Sequence, residues 1–163
     1  MQARDVLATD SFFADALSPA ELDSLAERAR QRRFASGDRL IREDDVGGSL
    51  FIVVSGEVTI DTGDRQTGKH IATGGAGTVV GEMSLMTGAR RSANVTASTE
   101  VTALEITKSA LEPILATSPV LVDRFAAMLK RRQSELDLAY GAGGRFSGGE
   151  LARRIRSFFG LGG

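Results

Sequence analysis

Between residues 34 and 107 the apolar positions recur close to every second residue, and glycine-bearing turns cut them into short pieces. Leu40, the run Leu50-Phe51-Ile52-Val53-Val54, Val58 with Ile60, Val79-Val80, Val95, and then Val101, Leu104 and Ile106 mark successive strands. Ser36-Gly37-Asp38, Val46-Gly47-Gly48, Ser55-Gly56 and Gly74-Gly75-Ala76-Gly77 supply the turns between them. Many short strands with glycine corners predict a barrel or a sandwich, because alternating strand-helix units need a helical stretch between each pair of strands.

Helical patterns flank this region. Ser18-Pro19-Ala20-Glu21 combines a capping serine, a first-turn proline and a glutamate at the third helical position. Leu22, Leu25, Ala26 and Ala29 follow at helical spacing, which predicts a helix to about Gln31. Beyond the strands, Ser109-Ala110-Leu111-Glu112 opens a short helix and Ser118-Pro119 a long one. In the long helix Leu121, Phe125, Met128, Leu129, Leu136 and Tyr140 lie near one stripe, with Asp123, Lys130, Arg131 and Glu135 mostly opposite. Gly141-Ala142-Gly143-Gly144 and Ser147-Gly148-Gly149 have the composition of a flexible connector. A last amphipathic segment, Glu150 to Gly160, puts Leu151, Ile155, Phe158 and Phe159 on one face and Arg153, Arg154 and Arg156 largely off it. The expected organisation is one domain over 1–140, a glycine-rich linker over 141–149 and a short basic amphipathic tail over 150–163.

Composition removes several classes of function. A chain of 163 residues with 42% hydrophobic content and a net charge of -1 is of ordinary domain size and is not a basic nucleic-acid binder. It has no cysteine, which excludes disulfides, thiolate catalysis and cysteine-based zinc sites. The single histidine, His70, stands beside the polar stretch Asp64-Arg65-Gln66-Thr67-Gly68-Lys69 and is expected on the surface, with no second histidine to share a metal. Glu43-Asp44-Asp45 lacks the alternating ligands and closing glutamate of a calcium loop. No apolar run approaches the length of a membrane span and no charged-then-apolar leader follows Met1, so a cytoplasmic location without a membrane span is expected.

Chemistry concentrates in residues 81–95, G-E-M-S-L-M-T-G-A-R-R-S-A-N-V. Gly81 lets the chain turn sharply out of Thr78-Val79-Val80, and the amides of Met83, Ser84 and Leu85 then open a short helix, where unpaired N–H groups attract anions. Arg91, beyond the turn at Thr87-Gly88, can return a guanidinium to the same place as a two-pronged phosphate donor. Glu82 would repel a phosphate there unless it holds a sugar hydroxyl while Arg91 offsets its charge.

This arrangement resembles the phosphate-binding cassette of the cyclic nucleotide-binding domains found in catabolite activator protein, protein kinase A regulatory subunits and cyclic nucleotide-gated channels. The resemblance covers residues 12–140, with Gly37, Glu43-Asp44-Asp45, Gly47 and Ser55-Gly56-Glu57 at the family's turns. It implies an α+β fold, an antiparallel jelly-roll-like β-barrel with N-terminal helices, a short cassette helix and a long C-terminal lid helix. It assigns the ribose hydroxyl to Glu82, the cyclic phosphate to Arg91, and amide or hydroxyl donors to Ser84, Ser92 and Ala93. On the lid, Arg132 is the first candidate for contact with the purine and Arg131 the next; Ile60 is a candidate apolar wall for the base. Arg90 stands where the family usually has proline, so the loop before Arg91 is expected to be less rigid, and Asn94 stands where it usually has threonine.

The implied ligand is cyclic AMP or cyclic GMP, both left open by the hydroxyl of Ser92, and no cofactor or metal is implied. Only 23 residues follow Tyr140, too few and too glycine-rich for a helix-turn-helix domain, so DNA binding is not expected. Neither metal ligands nor a nucleophile with its base is evident, so an enzyme is not expected. Residues 151–161, L-A-R-R-I-R-S-F-F-G-L, look like the C-terminal end of bacterial cyclic nucleotide-gated members of the small-conductance mechanosensitive channel superfamily. The expectation is a regulatory module, the cytoplasmic sensor of a bacterial ion channel or part of a homo-oligomer. The alternatives are a free-standing cyclic nucleotide sensor and a non-binding scaffold of the same fold.

Overall fold

Two helices precede the strands in the computed structural model, which describes residues 2–9, 12–62, 69–140 and 147–161, with the backbone alone at 69–71, 132–140 and 148. The first, α1 (Ala3–Thr9), buries Val6 and Leu7. In the second, α2 (Pro19–Arg28), the Ser18 hydroxyl accepts from the Glu21 amide while the Glu21 carboxylate accepts from the Ser18 amide, closing the capping box expected from the sequence. This helix stops at Arg28, short of the expected Gln31, with Ala29 already extended. The next residues form β1 (Arg30–Phe34), which pairs antiparallel with Val101–Thr107. Four of its five side chains are exposed and only Phe34 is buried, so the strand carries almost no apolar signal and exists because of its ladder.

The remaining strands are β2 (Arg39–Ile41), β3 (Ser49–Ser55), β4 (Val58–Thr62), β5 (Lys69–Gly74), β6 (Val79–Val80), β7 (Asn94–Ala97) and β8 (Val101–Thr107). They do not close into a barrel. Among the described residues they form two antiparallel four-stranded sheets, ordered β1-β8-β3-β6 and β2-β7-β4-β5, a jelly-roll sandwich. The expected closure fails because β2 and β6 have only three and two residues, so hydrogen bonding ends at those edges and the glycine turns carry the chain across between sheets. His70 belongs to β5, opposite Asp61.

The long apolar run of β3 has a simple cause: both of its faces are covered. Phe51 and Val53 face the second sheet with Phe34, Ile41, Val58, Val80, Val95, Ala97, Val101 and Ala103, while Leu50 and Ile52 face the helices. The helical layer consists of α1, α2, α3 (Glu82–Thr87), α4 (Lys108–Thr117), α5 (Leu121–Tyr140) and α6 (Gly148–Phe158). Each of the last three begins within a few residues of its sequence signal, α4 one residue before Ser109, capped by Thr107, and α5 two after Pro119. In α6 the cap is Ser147, again boxed with Glu150, so the glycines Gly148 and Gly149 form its first turn.

Candidate functional site

The site is built where β6 leaves its sheet. Val80 pairs with Phe51 in β3, and the next residue, Gly81, takes φ +88° and ψ 10° before α3 begins. A side chain is strained in that left-handed conformation, and a Cβ there would also lie 2.7 Å from Nη1 of Arg91. Glycine is thus required twice, by the turn and by the guanidinium beside it. The Gly81 carbonyl accepts from the Leu85 amide at 3.1 Å, and α3 buries Ser84, Leu85 and Met86 while Glu82 and Met83 stay half-buried.

Arg91 enters from the other side of the same turn and is only 7% exposed. Its backbone is stitched to the loop before β3: its amide donates to the Asp45 carbonyl at 2.9 Å, and its carbonyl accepts from the Asp44 amide at 2.8 Å. Arg90, the position expected to loosen this loop, donates from Nη1 to the Asp44 carbonyl at 2.9 Å. The Arg91 guanidinium donates from Nη1 to the Ser49 carbonyl at 2.6 Å and, at 3.5 Å, to that of Gly81, and from Nη2 to Ser49 Oγ at 3.3 Å. Among the described residues all of its hydrogen-bond partners are neutral. Burial lowers its pKa from the ordinary guanidinium value, and the carboxylates of Glu105 and Asp45 oppose that shift from a distance. A buried cation satisfied by carbonyls and a hydroxyl is held at a desolvation cost that an arriving anion offsets.

Gly81, Glu82, Met83 and Ser84 therefore form one turn, and the Arg91 guanidinium lies against its first residue, Gly81. Ser92 follows exposed and Ala93 half-buried. Ile60 is half-buried in β4 opposite Val95 and packs on the core between the sheets. Arg131 is exposed on α5, and none of the described contacts joins it to Arg91. The side chain of Arg132 lies outside the described residues, as does that of His70.

Three neighbours were not legible as site residues. Gly47 was expected only as a turn residue and Ser49 carried no expectation, yet Ser49 bonds the guanidinium and a Cβ on Gly47 would collide with it. Asn94 is 9% exposed and knits strands together: its Oδ1 accepts from the Glu43 amide at 2.8 Å and Arg39 Nη1 at 3.3 Å, and its Nδ2 donates to Asp61 Oδ1 at 3.2 Å. The far end of α3 is braced by α6. The Phe158 ring packs against Gly88, and the Lys108 ammonium lies 4.2 Å from the centre of that ring.

Among the described residues no three His, Cys, Asp or Glu side chains converge as a metal site, and no helix is long and apolar enough to cross a membrane. Residues 31–118 match the family model for the cyclic nucleotide-binding domain. A cyclic nucleotide-gated potassium channel of Rhizobium etli is 34% identical over 107 residues, covering 66% of this chain and 29% of the channel. The cyclic AMP receptor protein of Thermus thermophilus is 29% identical over 125 residues, covering 75% of this chain and 57% of the receptor. The chain thus matches less than two thirds of the length of these relatives. The solved N-terminal domain of a transcriptional regulator from Streptomyces coelicolor superposes with a TM-score of 0.67 at 28% identity, covering 86% of this chain and 100% of that one.

Proposed function

Because the chain belongs to the cyclic nucleotide-binding domain family, we propose that it is a regulatory module that binds a 3′,5′-cyclic purine nucleotide without turning it over and passes on its occupancy through the C-terminal helices. The observation that carries this reading is the buried Arg91 guanidinium beside the left-handed Gly81, held by neutral groups alone among the described residues. In the proposed complex Arg91 takes the cyclic phosphate and Glu82 the ribose 2′-hydroxyl. Ser84, Ser92 and Ala93 complete the cassette, while Ile60 and the α5 arginines Arg131 and Arg132 meet the base. The chain as sensor of an ion channel, acting in the cytoplasm, is supported by the gated potassium channel among its relatives. Absence of turnover is supported by relatives that are receptors and gated channels.

Calorimetry with cyclic AMP and with cyclic GMP tests the proposal, with chromatography of the recovered nucleotide. The expected result is one-site binding of at least one of them with the nucleotide intact. Heats of dilution alone for both, or conversion to the open-chain monophosphate, overturn it.

A further inference from the structure

Ser49 does not merely neighbour Arg91; it takes one particular edge of it. Its carbonyl accepts from Nη1 at 2.6 Å and its hydroxyl from Nη2 at 3.3 Å, so one residue grips the end of the guanidinium that carries both terminal nitrogens. A guanidinium is a planar fork with five N–H donors, and an end held in this way leaves the side edge, formed by Nε and Nη2, as its remaining paired donor face. Gly47 borders that edge. A Cβ on Gly47 would stand 2.6 Å from Nε, 2.6 Å from Nη2 and 2.8 Å from the central carbon. The space beside the two donors is therefore kept by the absence of a side chain at Gly47. Nothing in the backbone demands glycine there, since Gly47 is not among the residues with positive φ.

We propose that Gly47 and Ser49 are positioning residues for nucleotide binding: Ser49 clamps the Nη1–Nη2 end of Arg91, and Gly47 keeps the Nε–Nη2 edge open for a bidentate contact with the cyclic phosphate. The inference rests on the assignment of Arg91 to the phosphate and adds which edge is used and what holds the other. Lys108 extends the same support outwards. Its amide donates to the Gly48 carbonyl at 2.8 Å, fixing the loop between the two positioning residues to the start of α4.

The test is calorimetric affinity for cyclic AMP and cyclic GMP in the wild type and in Gly47→Ala, Ser49→Ala, Ser49→Thr, Arg91→Ala and the Gly47→Ala/Arg91→Ala pair, with the thermal midpoint of each. Gly47→Ala should bind at least about tenfold more weakly, the loss of a charge-assisted contact. Its midpoint should stay near that of the wild type, because the atom it displaces is the end of a flexible side chain. Ser49→Ala should lose about three- to tenfold, a modest loss because the hydroxyl contact is long at 3.3 Å and the shorter bond to the Ser49 carbonyl remains, and Ser49→Thr should recover it. In the Arg91→Ala background Gly47→Ala should have no further effect, which a merely structural role for Gly47 would not produce. If the phosphate instead displaces Ser49 from the guanidinium end, Ser49→Ala binds as tightly as the wild type or tighter and Gly47→Ala is near neutral; that result overturns the inference. Additive losses in the double variant also overturn it. Affinity lost in Arg91→Ala but untouched in Gly47→Ala defeats this inference alone, whereas a wild type that binds neither nucleotide defeats the proposed function with it.

Discussion

Arg91 carries the sharpest expectation at the level of single residues. Replacing it by alanine should cost about 1.5 to 3 kcal/mol of binding, the range for a charge-assisted hydrogen bond. Lysine should fare little better, because one ammonium cannot hold the two Ser49 oxygens and present a planar pair of donors to phosphate at once. Unchanged affinity for cyclic AMP and cyclic GMP in Arg91→Ala would remove Arg91 from the site. For Glu82 the discriminating ligand is a 2′-deoxy cyclic nucleotide, which should bind the wild type more weakly than the parent, with Glu82→Gln narrowing the gap. Equal binding of the two ligands by the wild type refutes the assignment to the ribose. A stability prediction belongs at this scale too. The Ser18 amide, first among several hydrogen bonds, holds Glu21 below its ordinary carboxylate pKa, so its contribution is present at neutral pH and lost as pH falls through that lowered value. Glu21→Gln should therefore be less stable than the wild type at neutral pH in urea titrations and converge with it in acid. A gap that persists unchanged into acid speaks against the capping box as its source.

The elements differ in how firmly they are held, and that limits what can move. The first half of α5 is core: Leu121, Val122, Phe125, Ala126 and Leu129 are buried, and the Phe125 ring lies 5.5 Å from Phe12 and 6.1 Å from Phe13. Arg124 adds a bond from Nη1 to the Ala16 carbonyl at 3.1 Å. A lid made of the whole helix would have to break that cluster, at about 1.5 to 3 kcal/mol per side chain exposed. Any response to nucleotide is accordingly expected in residues 130–140 and in α6, which meets the cassette through Phe158 and Gly88. Hydrogen exchange with and without ligand should change protection in 81–95, in 130–140 and in 148–158, leaving 121–129 as it was. Protection that rises in 81–95 while 130–140 and 148–158 stay unaltered rules the coupling out.

For the molecule as a whole, α6 is part of what holds the helical layer together. Leu151, Ala152, Ile155 and Phe159 lie in the same buried cluster as Leu85 and Met86 of α3, and Arg156 pairs with Asp123 at 3.3 Å. Ending the chain after Tyr140 should cost more than about 4 kcal/mol in denaturant titrations, from the lost burial of the three larger side chains, a large share of the usual stability of a domain. A truncated protein as stable as the full one would show that this packing contributes nothing. Truncation after Pro119, which removes Phe125 and Leu129 as well, is expected to leave no folded protein to bind with.

What was legible beforehand depended on neighbours along the chain. Ser18 and Glu21 are three residues apart, and a capping box needs only that spacing, so α2 could be placed without knowing what it packs on. The same holds for Gly81: a sharp turn between a strand and a short helix calls for glycine whatever surrounds it. The end of α2 was misjudged because Arg30–Phe34 is made a strand by residues about seventy positions later, whose pairing outweighs a weak local preference. Closure of the sheets was misjudged for a related reason, since alternation marks strands but says nothing of which edges meet. Arg91 was recognisable as a phosphate donor, but Ser49 and Gly47 were not recognisable as its cradle. They stand 42 and 44 positions before it, and the carbonyl, the hydroxyl and the missing Cβ acquire meaning only once packing brings both segments to one guanidinium. Local sterics and capping act over a few residues and can be read in order along a chain. Burial, and with it the energetic value of each charge, exists only after distant segments have excluded water together.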